Sequence, residues 1–128
     1  MKLAVDASAL LAILFRESDS RPFAIKLSTA EAVWISPINW WEVQVHAIGR
    51  GGESGEKDAN ELLAEFNVQV EPVTHDHARL ALAAFARYRG RPVRLNLGDC
   101  FAYALAKAKG VPLLYKGSDF AATDIEAA

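Results

Sequence analysis

A chain of 128 residues, 52% hydrophobic and 23% charged, has the size and apolar content of one globular domain, expected to span 1–128. A single cysteine, Cys100, excludes a disulfide framework, and one cysteine with three histidines supplies no ordinary zinc ligand set. Fourteen basic residues against sixteen acidic ones leave a formal charge of −2, so any nucleic-acid partner must be met through a local basic patch or a bound metal.

Lys2–Val5 is predicted as a short buried strand ended by Asp6, and Ala7–Phe15 as a helix with Leu10, Leu11, Leu14 and Phe15 on one stripe. This apolar run follows Lys2 and loosely imitates a signal peptide. However, Asp6 interrupts it, no Ala-x-Ala pattern closes it, and it is too short to span a bilayer, so a soluble cytoplasmic protein is expected. A weaker helix follows at Arg21–Leu27, then a strand at Ala32–Ile35. Ser36 and Pro37 make a strong helix start, continued by Ile38, Trp41, Val45 and Ile48 at helical spacing. Gly49–Gly55 holds four of the eight glycines and is predicted as a loop. Asp58–Phe66 is a helix, and Val68–Val73 alternates as a half-buried strand does. Thr74 caps an alanine-rich helix to Tyr88, and Gly90–Gly98 is a second loop. Gly98–Lys109 is a helix with Phe101, Ala104, Leu105 and Ala108 inward, stopped by Gly110 and Pro112. Val111–Tyr115 is the last strand. Strands alternating with helices predict an α/β fold, a parallel sheet with helices on both faces.

In open α/β sheets, ligands bind outside the carboxyl ends of the strands. Asp6 ends the first strand, Glu42 lies in the helix after the second, and Asp119 follows the last. Asp99 opens a helix between apolar neighbours. Four carboxylates converging there would repel one another, and a divalent cation reverses that and keeps them ionised. All-oxygen ligands without His or Cys favour Mg²⁺ or Mn²⁺ over Zn²⁺. Such an ion retains waters, one of which can attack a phosphodiester.

The motifs Val5-Asp6-Ala7-Ser8-Ala9-Leu10, Glu42, Leu97-Gly98-Asp99-Cys100-Phe101-Ala102-Tyr103-Ala104-Leu105-Ala106 and Leu113-Leu114-Tyr115-Lys116-Gly117-Ser118-Asp119-Phe120, with Thr123-Asp124-Ile125, resemble the PIN domain of VapC-type toxins. The likeness runs the whole length and keeps the order and spacing of all four acids. It implies a three-layer α/β/α sandwich, RNA cleavage with Mg²⁺ or Mn²⁺, a homodimer and a cognate antitoxin. By that resemblance Asp6, Glu42, Asp99 and Asp119 are the catalytic and metal-site acids, with Asp6 and Asp99 direct ligands and Glu42 and Asp119 acting through water. Ser8 orients a carboxylate or touches a phosphate. Two departures stand out: Trp40 and Trp41 are bulkier than the residues usual beside the glutamate, and Ser118 replaces a more frequent Asn or Asp.

Taken singly, these residues have plainer readings. Asp6 and Asp99 are good helix caps, Asp119 is a turn residue, and Cys100 is a small buried hydrophobe. His75 and His77 read as solvated first-turn residues, Tyr103 as either cleft or core, and Trp34, Trp40 and Trp41 as core or, where exposed, as a dimer or antitoxin surface. Five arginines (79, 87, 89, 91, 94) occur from Arg79 to Arg94 without an acid; Arg87, Arg89, Arg91 and Arg94 are candidates for holding RNA phosphates, against a solvated loop or an acidic partner segment. The rival readings are a phosphoacceptor receiver domain, a PIN-like binding module without turnover, and a DNA nuclease or RNA-processing enzyme outside any toxin–antitoxin pair.

Overall fold

The computed structural model describes residues 1–90 and 94–128. Its elements are β1 (Lys2–Val5), α1 (Ala7–Leu14), α2 (Ser20–Thr29), β2 (Ala32–Ile35), α3 (Pro37–Glu65), β3 (Val68–Val70), α4 (His75–Tyr88), α5 (Leu97–Lys109) and β4 (Leu113–Leu114). The four strands form one parallel sheet in the order β3-β2-β1-β4.

Alternation along the strands divides the core in two. Leu3, Val5, Val33 and Ile35 pack with α1, α2 and α3, whereas Ala4 and Leu113 pack with α4, α5, Phe120 and Ile125. The result is the three-layer α/β/α sandwich expected. A receiver domain has the strand order 2-1-3-4-5, so that alternative falls.

Two strands are shorter than expected, and one helix turns a different face inward. β3 pairs only over Val68–Val70, because Glu71 makes the last bond to β2 through its N–H on the Ile35 carbonyl (2.9 Å). β4 pairs only over Leu113–Leu114; its open side is taken by the C-terminal tail, which exchanges bonds with Leu113 through Glu126 and Ala128 (both 2.9 Å). In α5, Ala102–Ala106 are buried while Ala108 is exposed, so the inward face sits one step away from the predicted stripe.

The largest departure is at Gly49–Gly55, which is helical. Helix α3 runs through it and breaks only at Gly52, whose φ of 58° and ψ of −140° suit a residue without a Cβ. The two limbs then fold back on each other. Gln44 Nε2 donates to Asn60 Oδ1 at 2.8 Å, whereas a straight helix would hold these residues about 24 Å apart. Gly55 lies against the first limb so closely that a Cβ would sit 2.1 Å from the Ala47 carbonyl oxygen. Gly55→Ala is therefore expected to destabilise the chain by about 1–3 kcal/mol, seen as a lower Tm in a thermal melt, because backbone must yield. An unchanged Tm would show that the limbs separate freely.

The first limb also corrects the predicted stripe. Asn39, Val43, Gln44 and Ala47 are buried, while Trp41 is 60% exposed, Ile48 44% and Trp40 37%. Trp34 alone of the tryptophans packs against the core, under Lys109 Nζ (4.5 Å from the ring centroid). His77 is buried, contrary to its reading as solvated. Among the described residues no helix is long and apolar enough to cross a membrane.

Candidate active site

Asp6, Glu42, Asp99 and Asp119 meet at the carboxyl end of the sheet, each delivered by a different local device. Asp6 leaves β1 and caps α1, with Oδ2 accepting from Ser8 N at 3.1 Å; the cap reading and the cluster reading are thus both true of one side chain. Glu42 is carried one and a half turns into α3, whose start is fixed by Ser36 accepting from Ile38 N and by Pro37. Asp99 stands in the first turn of α5 in a capping box: Asn96 Oδ1 accepts from Asp99 N (2.8 Å) and Asp99 Oδ2 accepts from Asn96 N (3.0 Å). Asp119 lies exposed on the turn after β4.

The turn bearing Asp119 is moored to β1 and α1. Ser8 Oγ accepts from Lys116 N (2.9 Å), so the hydroxyl is engaged by backbone and Ser8 joins the Asp6 end of the site to the Asp119 end. Lys116 Nζ reaches Glu17 Oε1 (2.5 Å) and Asp19 Oδ1 (3.4 Å).

The electrostatics are those of carboxylates short of cations. Burial pushes Asp6 up to about 6, against the hydrogen bonds from Ser8 and with further upward pushes from Glu42 and Asp119. Burial likewise raises Asp99 to about 6, opposed by Asn96 and reinforced by Asp6 and Asp119. Glu42 is raised by burial and by Asp99, and lowered by the Asn39 amide and His46. Asp6 thus feels Glu42 and Asp119, and Asp99 feels Asp6 and Asp119, although among the described residues no three His, Cys, Asp or Glu side chains are drawn together as a finished cation cage. The donor set is all oxygen, and among the described residues neither Lys nor Arg offsets the charge on Asp6 or Asp99. These residues fit a hard divalent cation.

The raised carboxyls make stability depend on pH. Between about pH 4 and pH 6, the folded chain holds protons on Asp6 and Asp99 that the unfolded chain has released, so stability present at acid pH is lost as pH rises through about 6. Asp124 acts oppositely, being held below the usual range by Tyr103, Lys107 and Tyr88, but it loses its contribution only below that window. Without divalent cation, Tm is expected to be higher at pH 5 than at pH 7.5. A melt rising toward pH 7.5 would contradict the buried, uncompensated charge.

Of the candidate arginines, Arg87 has a described partner outside the four acids. Arg87 Nη1 lies 3.8 Å from Asp124 Oδ2, on the carboxylate that also takes Lys107 Nζ (2.9 Å) and the Tyr103 hydroxyl (2.5 Å). Lys107 is eight residues beyond Asp99, about 12 Å down the helix, so this Asp124 contact of Arg87 lies away from the Asp99 end of α5. Arg89 and Arg94 are exposed, and Arg91 lies outside the described residues. Tyr103 is a core residue that ties α5 to the tail, and Cys100 is buried, with its thiol raised by burial and by Asp99.

Sequence reasoning missed Asn39 and Gly98. Asn39 is fully buried among the acids, with Nδ2 donating to Glu42 Oε1 (2.8 Å) and the Gly98 carbonyl (3.0 Å) and 3.4 Å from Asp6 Oδ1. The available signal was an amide three residues before Glu42, on the same helical face.

The family model of the PIN domain matches residues 3–126. Ribonuclease VapC28 of Mycobacterium tuberculosis is 39% identical over 127 residues, covering 97% of this chain and 96% of its own. Ribonuclease VapC42 of the same species is 38% identical, with 97% of each chain covered. Among solved structures, VapC20 of M. tuberculosis, a sarcin-ricin loop cleaving toxin, superposes with a TM-score of 0.81 at 19% identity, covering 98% of both chains. VapBC2 from Rickettsia felis, bound to a DNA fragment from its promoter, gives 0.79 at 11%, covering 99% and 96%. At such identities the structural likeness concerns the fold.

Proposed function

Because the chain belongs to the PIN-domain family, we propose that it is a divalent-cation-dependent endoribonuclease, the toxin of a toxin–antitoxin pair acting in the cytoplasm, built as one nuclease domain over 1–128. The observation that carries the reading is the gathering of Asp6, Glu42, Asp99 and Asp119 at the carboxyl end of the sheet, where burial and neighbouring acids raise Asp6 and Asp99 and, among the described residues, no basic side chain offsets either. Relatives at 38–39% identity over nearly the whole chain are named ribonucleases, which supports RNA as the substrate.

Asp6, Glu42, Asp99 and Asp119 would hold the cation, with Mg²⁺ or Mn²⁺ matching their hard oxygens. When bound, the cation supplies a nucleophilic water and neutralises charge developing on the scissile phosphate. The chain's own part is positional. Asp6 is pinned by the Ser8 amide and Asp99 by the Asn96 amide, each through Oδ2, leaving Oδ1 of both free of those bonds. Ser8 keeps the Asp119 turn in register with Asp6. Arg87, Arg89, Arg91 and Arg94 precede Asp99 in the chain and are assigned to the flanking phosphates, Arg87 by exchanging its exposed contact with Asp124 for one with RNA. Trp40, Trp41 and Ile48 on the first limb of α3 present apolar surface suited to a protein partner, the antitoxin or a second copy forming a homodimer.

Purified, partner-free protein incubated with total RNA and Mg²⁺ or Mn²⁺ is expected to give discrete fragments. RNA from several sources left intact under both cations would overturn the nuclease reading in favour of a binding module.

A further inference from the structure

The acidic site is organised around a neutral side chain. Asn39 has no exposure, and its amide meets oxygens from three elements: Asp6 at the end of β1, Glu42 on α3 and the Gly98 carbonyl in the first turn of α5. The two amide hydrogens are taken by Glu42 (2.8 Å) and Gly98 (3.0 Å), with Asp6 Oδ1 at 3.4 Å beside them. This geometry fixes which end is nitrogen, since the flipped amide would set Oδ1 against three acceptors. Asn39 Oδ1 itself is buried without a partner. A buried amide oxygen is rarely left so, and an aliphatic residue would avoid the penalty.

Gly98 completes the arrangement. A Cβ at that position would lie 2.3 Å from Glu42 Oε1 and 2.6 Å from Cδ, so the glutamate reaches its place only because residue 98 has no side chain. Glu42 is thus held from one side by a donor and admitted on the other by a missing methyl.

We propose that Asn39 is the positioning residue of this site, holding the Glu42 carboxylate against the mouth of α5, in the space Gly98 leaves, so that this one oxygen donor stands in place before a divalent cation arrives. The proposal rests on the reading of the four acids as a cation site. Fixing a ligand through a hydrogen-bonded neighbour commonly governs metal affinity by 10–100-fold.

The test is Mn²⁺ binding by isothermal titration calorimetry on the RNA-free chain, compared for the parent, Asn39→Ala, Glu42→Gln and the double variant, with thermal melts alongside. Asn39→Ala is expected to weaken Mn²⁺ binding about 10–100-fold. The double variant should lose little beyond Glu42→Gln, because the two changes remove one device. In cleavage assays Asn39→Ala should lower kcat at fixed Mn²⁺ with KM for RNA nearly unchanged, and raised Mn²⁺ should recover much of the loss. Should Asn39→Ala fail to fold, Gly98→Ala tests the same placement by displacing only the flexible end of Glu42, and the same weakening is expected. Parental Mn²⁺ affinity in Asn39→Ala or Gly98→Ala, or losses that simply add in the double variant, would overturn the positioning role alone. A parent chain that takes up no Mn²⁺ would bring down the cation reading and this proposal with it.

Discussion

Asp6→Asn and Asp99→Asn are each expected to reduce RNA cleavage by about 10³-fold or more while leaving the chain folded. Both substitutions keep the local bonds. An asparagine oxygen at 6 still accepts from Ser8 N, and one at 99 still accepts from Asn96 N, so the caps of α1 and α5 survive. What disappears is a buried negative charge needed for the cation. In the cation-free protein at pH 7.5 that charge is a liability, since burial and neighbouring acids raise both carboxyls to about 6. Asp6→Asn should therefore stabilise the cation-free chain by roughly 1–3 kcal/mol at pH 7.5 and flatten the rise in Tm toward pH 5. Loss of activity with gain of stability separates a functional carboxylate from a structural cap, whose removal costs stability. Cleavage near the parental rate by either variant would remove that residue from the catalytic set.

Chelation is the second large effect. EDTA in excess of divalent cation is expected to abolish cleavage completely, and Mg²⁺ or Mn²⁺ added back to restore it. The basis is that burial and neighbouring acids raise Asp6 and Asp99 and, among the described residues, no arginine or lysine offsets them. Saturating cation should also stabilise the folded chain at pH 7.5 more than at pH 5, where the acids are partly protonated. Cleavage that persists in EDTA would mean that the acids serve the fold or the substrate, and not a cation.

Much of this was legible in the chain itself. Strand–helix alternation specified the layers, Ser36 with Pro37 and Gly110 fixed helix ends, and the candidate acids fell after strands or in the early turns of helices, where an α/β sheet opens its binding crevice. Each of those signals is local, because capping chemistry and apolar periodicity act within a few residues. The errors lie where distant packing decides. Glycines at 49, 51, 52 and 55 imply a loop to local reasoning. Only the return of the second limb, with Gly55 against Ala47 and Gln44 bonded to Asn60, makes them a break at a single residue in a helix.

The stripe of Ile38, Trp41, Val45 and Ile48 illustrates the same limit. Periodicity establishes that a helix has an apolar face, but it does not say whether that face meets the sheet or the solvent. In this fold the sheet side carries Asn39, Val43, Gln44 and Ala47, which leaves Trp41 outside. The arginines are a further case: their density in sequence suggested a common role, and only the fold shows that Arg87 lies beside Asp124.

The sequence by itself determined the architecture, which follows from periodicity and capping, and named four acids as candidates from their order along one chain. The tertiary structure alone decided that Asn39 and Gly98 belong with them. An amide donating across three elements and a glycine that admits a carboxylate are relations between segments 59 residues apart, and no local pattern encodes the distance between Glu42 and the first turn of α5.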